Sequence, residues 1–91
     1  MKMKQGDVVT VVAATGEYVG KLLKIDETGV VLSDPRMITY NEQGMGFAHG
    51  VAMTGNPDPK EVVILQAVFV TETNNEVVKA WRQATSGIIT P

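Results

Sequence analysis

The chain has 91 residues, of which 44% are apolar and 20% are charged, and it carries a net charge of −2. This length allows a single small domain, residues 1–91, with one modest core, and the composition excludes a disordered chain. The absence of cysteine excludes disulfides, thiolate nucleophiles and Cys-based zinc sites. We expect a cytoplasmic protein without membrane insertion, because no apolar run could span a bilayer and no signal-peptide pattern is present.

The first part of the chain predicts two antiparallel strands joined by a tight turn. Residues 8–14 are rich in β-branched side chains, and a Thr-Gly-Glu turn separates them from a second strand over 18–26. The second strand follows a period of two as far as Leu22, but its next apolar residue on that face is Ile25. This change of phase predicts a β-bulge, and Gly20 allows a sharp bend.

Two more strand segments and a long insertion follow. An Asp-Glu-Thr-Gly turn at 26–29 leads into a third strand at 30–32, and Ser-Asp-Pro at 33–35 interrupts the ladder before residues 37–40 resume it. Residues 41–60 contain four glycines and two prolines, which is typical of a long excursion. Bulky and small residues alternate within it, so we interpret it as a hairpin arm. The bulky side consists of Met45, Phe47, His49, Val51 and Met53.

The last third of the chain predicts one buried strand and one helix. Residues 61–71 form the most apolar run, which favours a strand buried on both faces or covered by another subunit. Thr73 and Glu76 have the spacing of a capping box, so we predict a helix over about 74–86, ended by Gly87. Its apolar stripe consists of Val77, Val78 and Trp81.

Glycine, apolar and acidic residues in the first two strands have the spacing of a known motif. They are Val9, Val11, Gly16, Tyr18, Gly20, Leu22, Ile25 and Asp26. This set resembles the first motif of the Sm-like (LSm) proteins, a family that includes Hfq, and it covers about a quarter of the chain. The resemblance implies a five-stranded, strongly bent antiparallel barrel. It also implies rings of identical subunits, formed by pairing between fourth and fifth strands, that bind single-stranded RNA around a pore.

The expected fold class is therefore mainly β: a small five-stranded, strongly bent antiparallel Sm-like barrel with a C-terminal helix and a long hairpin insertion. Two family features have no counterpart here, namely the Met-Asn pair after the aspartate and the Ile-Arg-Gly motif. The position of a fifth strand also stays open, because residues 77–81 could be extended instead of helical.

The resemblance points to the turn at 26–29 as a contact for nucleic acid. Side-chain oxygens of Asp26, Glu27 and Thr28 could bind a base edge. Alternatively, Asp26 caps its own turn, and the two acids would repel phosphate. Asn74 and Asn75 carry amides that could read bases near this turn, or they could simply begin the helix.

Basic residues near both ends of the chain could form a second contact. If the helix packs beside the first strand, they could converge, and a ring would repeat the patch as a belt. The alternative is an ordinary solvated surface. These residues are Lys2, Lys4, Lys79 and Arg82. The single histidine, His49, makes a poor metal site without further ligands, so we expect no metal or cofactor; it could stack on a base together with Phe47.

The sequence predicts a binding protein and not an enzyme, since it has no Cys nucleophile, paired-carboxylate motif or phosphate-binding loop. We expect a homo-oligomeric ring that binds single-stranded RNA, or single-stranded DNA, without chemistry. The alternative is a structural or assembly ring, for example of a phage particle, which the acidic net charge and the missing motifs favour. A third possibility is a small-molecule sensor with the 41–60 insertion as its lid.

Overall fold

The computed structural model describes residues 3–86, which form a mainly β fold that ends in a helix. The elements are β1 (Val8–Ala13), β2 (Gly16–Asp26), β3 (Gly29–Asn41), β4 (Gly44–Phe47), β5 (Glu61–Ile64), β6 (Phe69–Glu72) and α1 (Asn75–Thr85). The mainly β class, the antiparallel sheet and the C-terminal helix are confirmed.

The strands form one open antiparallel sheet. Neighbouring strands follow the order β4-β3-β2-β1-β6, and β5 pairs with β3. Residues 30–33 of β3 lie between β2 and β5, whereas residues 38–41 pair with β4. Within residues 3–86, β5 and β6 do not pair with each other. The described chain therefore has six strands in a sheet that does not close, where the sequence predicted five strands in a barrel.

The main core lies on one face of this sheet. Val9 and Val11 alternate along β1 and are fully buried, and the register places Tyr18 opposite Val11 and Leu32 opposite Leu22. The core cluster comprises Val9, Val11, Tyr18, Leu22, Val30, Leu32 and Ile64. Each fully buried valine or leucine of this kind contributes about 1.5–3 kcal/mol relative to an exposed one.

Two irregularities interrupt the β2–β3 pairing, and the second confirms the bulge that the change of phase before Ile25 predicts. In the first, Asp34 and Pro35 of β3 lie opposite Gly20 alone; in the second, Leu23 is an extra residue of β2. Asp34 has a φ of 49°, which lies in the left-handed region. The Ser-Asp-Pro segment therefore interrupts the ladder at 34–35, as predicted, while the strand itself continues through it.

The insertion is a hairpin only at its beginning. β4 pairs with the end of β3, so the hairpin arm predicted over 41–60 is present only at 44–47. Residues 48–60 contain turns and bends instead of the predicted extended arm. The chain folds back on itself at Gly50, whose φ is 82° and where an added Cβ would lie 2.6 Å from the backbone oxygen of Asn56.

A buried arginine fastens the end of the insertion to β3. The side chain of Arg36 is buried and donates to the carbonyl oxygen of Pro35 at 2.9 Å and to Asp58 Oδ1 at 2.6 Å. The backbone N–H of Asp34 donates to the carbonyl oxygen of Lys60 at 2.9 Å. The insertion is thus held at the bulge of β3 by one charged and one backbone contact.

The apolar run at 61–71 is not a single buried strand. It is divided into β5 and β6 by a connection at 65–68, in which Gln66 has a φ of 57°. Four of its large apolar side chains are exposed: Val63, Leu65, Val68 and Phe69. β6 pairs with β1. Residues 77–81 are helical, so the alternative in which they form a further strand is wrong.

The helix begins one residue later than the predicted capping box requires. Asn74 is the N-cap, and its Oδ1 accepts from the N–H of Val77 at 3.0 Å, whereas the Thr73 hydroxyl lies 2.8 Å from that of Thr10 on β1. The buried Trp81 donates from Nε1 to the carbonyl oxygen of Asp34 at 2.9 Å, which fixes α1 to the β3 bulge. Ser86 is the C-cap; the predicted cap Gly87 lies outside the described residues.

We expect Gly20→Ala to lower the free energy of unfolding by about 1–3 kcal/mol, the usual cost of overpacking. The new Cβ would lie 3.1 Å from the Cβ of Leu32 and 3.1 Å from the backbone oxygen of Ser33, so the bulge would have to open. Urea unfolding measures the effect. Gly46→Ala is the matched control, because its Cβ would meet only the Thr39 hydroxyl, at 3.6 Å. Equal stability of the two variants would contradict this account of the bend.

Candidate nucleic-acid interface

A cavity of about 250 Å³ opens between two connections of the sheet, the β2–β3 turn and the β5–β6 connection. Asp26 and Glu27 line it from the first, and Gln66, Ala67 and Phe69 line it from the second or from the start of β6. The cavity is smaller than the roughly 300–1,000 Å³ that encloses a drug-sized ligand. It suits a single flat group that enters from solvent.

Strand pairing brings these distant segments together. Val30, at the start of β3, pairs with Ile64, at the end of β5, so the β2–β3 turn lies beside the point where the chain leaves β5. An added Cβ at Gly29 would lie 2.6 Å from the backbone oxygen of Ile64, so only glycine fits this close approach. The next residues cross to β6 on the other side of the sheet and thereby form the opposite wall.

Asp26 is mainly a structural cap of its turn. Its Oδ1 accepts from the Thr28 N–H at 2.8 Å and from the Thr28 hydroxyl at 2.5 Å, and its Oδ2 lies 3.2 Å from Lys24 Nζ. The Thr28 hydroxyl, the Thr28 amide and Lys24 lower the pKa of Asp26 from 3.8 to about 2. The alternative in which Asp26 caps its own turn is therefore confirmed, and the Thr28 hydroxyl is engaged in the same contact.

The remaining polar groups of the cavity are available to a ligand. Glu27 and Gln66 are exposed, and their side chains make no hydrogen bond or ion pair within residues 3–86. Phe69 is 52% exposed beside them, and Val70 behind it packs against the core. The cavity thus combines an aromatic ring with a carboxylate and an amide that have no partner within the described part of the chain.

Sequence reasoning found Asp26 and Glu27 but missed Gln66 and Phe69, because it assigned both to the interior of a single buried strand. One signal was present. Gln66 is the only polar residue between positions 62 and 70, and a single polar residue in an apolar run can mark a break.

The other predicted site residues lie elsewhere. Asn74 caps the helix and lines a separate groove with Met45 and Phe47, and Asn75 is the first helical residue. Neither amide lines the cavity at the β2–β3 turn.

The basic residues do not line this cavity either. Lys79 and Arg82 are exposed on α1, and Lys4 is exposed before β1, where its backbone N–H donates to Asp7 Oδ2 at 3.1 Å. Lys2 lies outside the described residues. Among residues 3–86, the walls therefore carry the acids Asp26 and Glu27 and no Lys or Arg, an arrangement that suits a neutral group better than a phosphate.

The Asp26 cap predicts a specific dependence on pH. Because its pKa is lower in the folded state, the stability it contributes is present above the ordinary value of 3.8 and is lost as the pH falls toward about 2. In Thr28→Val the hydroxyl donor is gone but the amide remains, so we expect the pKa of Asp26 to rise part of the way to 3.8. Carbon-detected NMR titration measures it. The pKa of Asp58, which Arg36 lowers, is the internal control and should not move; an unchanged Asp26 would contradict the assignment.

Comparison of the chain with protein-family models, curated proteins and solved structures gave no match. Within residues 3–86, no helix is long and apolar enough to cross a membrane. The same residues contain no group of three or more His, Cys, Asp or Glu side chains placed to hold a metal ion.

Proposed function

We propose that this protein forms a cytoplasmic homo-oligomeric ring of Sm-like subunits and binds single-stranded nucleic acid, RNA in the first place, without catalysing a reaction. Each subunit would hold one base in the cavity between the β2–β3 turn and the β5–β6 connection. The observation that carries this proposal is the half-exposed ring of Phe69 beside free polar groups in a cavity of about 250 Å³. Proteins that bind single strands stack bases on such rings and contact the base edges with polar side chains.

The strand order supports the Sm-like part of the proposal. If β4 belongs to the insertion, the remaining order is β5-β3-β2-β1-β6, with β5 and β6 as the fourth and fifth strands. Within the described chain each has one unpaired edge, and each has four residues, so the two edges match in length. Pairing β6 of one copy with β5 of the next would satisfy both edges, which are otherwise open to aggregation.

Exposed apolar side chains support assembly at the same edges. Val63 belongs to β5, Leu65 follows it directly, and Val68 directly precedes β6; all three are more than half exposed. A small domain gains stability when such a surface is covered by another copy. Rings would also place the cavities of all subunits around one axis, so that weak contacts to single bases add up along a strand.

A structural ring without nucleic-acid binding is the second candidate. The acidic net charge and the absence of Lys and Arg from the cavity walls favour it, because nucleic-acid binding normally draws on phosphate contacts. The two candidates share the ring and differ in the ligand. Measurement of the oligomeric state therefore tests the ring, which both candidates require. Measurement of nucleic-acid binding then distinguishes one candidate from the other.

For assembly, we expect light scattering to give a mass of several protomers at micromolar concentration. Val63→Lys should reduce that mass, because a lysine on the edge strand opposes pairing with another strand. Met53→Lys is the matched control, since Met53 is fully exposed and lies in the insertion, away from β5 and β6. A protomer mass for the unaltered chain would contradict the ring.

For binding, we expect fluorescence anisotropy at low salt to detect binding of single-stranded RNA of mixed sequence. Phe69→Ala should weaken it by about five- to 150-fold, the equivalent of 1–3 kcal/mol for one stacked base. Tyr40→Ala is the matched control, because Tyr40 is an aromatic residue that is 83% exposed near the end of β3 and does not line the cavity. Light scattering of both variants shows whether assembly is intact. No binding of RNA or DNA by an intact ring would favour the structural role.

A further inference from the structure

Some hydrogen-bonding side chains of the cavity already have a partner within residues 3–86, and others have none. Asp26 and Thr28 satisfy each other across the turn, with the Thr28 amide and hydroxyl both donating to Asp26 Oδ1. Glu27 and Gln66 line the same cavity, and neither side chain has a hydrogen bond or ion pair within residues 3–86. Any recognition of a base edge in this cavity therefore falls to Glu27 and Gln66.

These two side chains present a defined pattern. A carboxylate has two acceptor oxygens and no donor, so it binds best where a ligand offers two adjacent N–H groups. The amide of Gln66 can donate from nitrogen or accept at oxygen. The combined pattern is two acceptors from Glu27 and an adaptable donor from Gln66.

Only one of the four RNA bases complements this pattern along its Watson–Crick edge. Guanine offers N1–H and the N2 amino group side by side, followed by the acceptor O6. Uracil offers one N–H between two carbonyl oxygens, which would face the negatively charged carboxylate. Adenine and cytosine each place one amino group next to a ring-nitrogen acceptor, so one carboxylate oxygen would lie against a lone pair.

We propose that the cavity selects guanine from a single strand. The Glu27 carboxylate accepts hydrogen bonds from guanine N1–H and N2–H, the Gln66 amide donates to O6, and the base stacks on Phe69. This inference rests on the proposed binding of nucleic acid and names the base that the site takes. In the described part of the chain the walls carry acids and no Lys or Arg, which keeps the sugar–phosphate backbone outside and lets the base enter by its edge.

The test compares oligouridines that carry one central guanine, inosine, adenine or uracil, in anisotropy titrations with the unaltered protein. A single guanine avoids association of guanine runs. We expect guanine to bind about five- to 150-fold more tightly than uracil, the discrimination of one good bidentate pair. Inosine lacks only the N2 amino group, so its affinity should fall between those of guanine and uracil.

Substitution of Glu27 tests whether its carboxylate causes the preference for guanine over uracil. Glu27→Gln replaces one acceptor oxygen by a donor, so we expect the guanine-to-uracil ratio to fall toward one while binding of oligouridine persists. Glu42→Gln is the matched control, because Glu42 is an exposed glutamate in the turn between β3 and β4 and does not line the cavity. It should keep the full ratio.

The outcomes distinguish a failure of guanine selection from a failure of the proposed nucleic-acid binding. Equal binding of the four oligomers, a preference for uracil, or a ratio that survives Glu27→Gln would overturn guanine selection and leave nucleic-acid binding in place. Undetectable binding of every oligomer would overturn both.

Discussion

The antiparallel pairing of β3 with β2 on one side and with β5 on the other holds the remaining parts of this structure in place. The start of β3 positions both walls of the cavity, because it follows the β2–β3 turn and pairs with the end of β5. The bulge at Asp34 and Pro35 redirects the second half of the strand toward the β4 hairpin. The same bulge receives the indole N–H of Trp81, and Arg36 beside it binds Asp58 of the insertion.

This dependence explains why the site combines rigidity with exposure. Gly29 allows the β2–β3 turn to touch the backbone of β5, and Asp26 locks the turn from within, so the walls are fixed by backbone contacts. The side chains of Glu27 and Gln66, by contrast, make no hydrogen bond or ion pair within residues 3–86. A site of this kind separates the residues that shape a pocket from the residues that read its ligand.

Acidic and basic side chains lie on different parts of the described chain. The cavity walls are acidic, whereas Lys79 and Arg82 lie on the exposed part of α1. In a single subunit these charges are sparse, and the net charge of −2 gives no general attraction for nucleic acid. The proposed ring would repeat both features around one axis, so its affinity for a strand would come from many weak contacts.

Interactions between residues close in sequence determined a large part of the fold, and these parts could be predicted from the sequence. The β-branched residues of β1, the glycine turn before β2 and the amphipathic stripe of α1 each depend on neighbours within a few positions, and all three were predicted. The bulge near Ile25 was predicted too, because a change of phase shows itself within one strand. The turn that holds Asp26 and Glu27 was predicted from the Asp-Glu-Thr-Gly sequence, whereas its assignment as a contact came from the resemblance to Sm-like proteins.

The tertiary structure decided what depends on distant partners. Apart from the polar Gln66, nothing in the run at 61–71 indicates a break. Its division into two strands depends on pairing with β3 at one end and with β1 at the other. Thr73 matched a capping box, but the hydroxyl of Thr10 on β1 engages it, and Asn74 caps the helix instead. Phe69 lines the cavity because the chain crosses there from β5 to β6, which lie on opposite sides of the open sheet. No local sequence pattern encodes this crossing. The sequence by itself determined the elements that short-range contacts stabilise, and long-range strand pairing determined which of their residues meet.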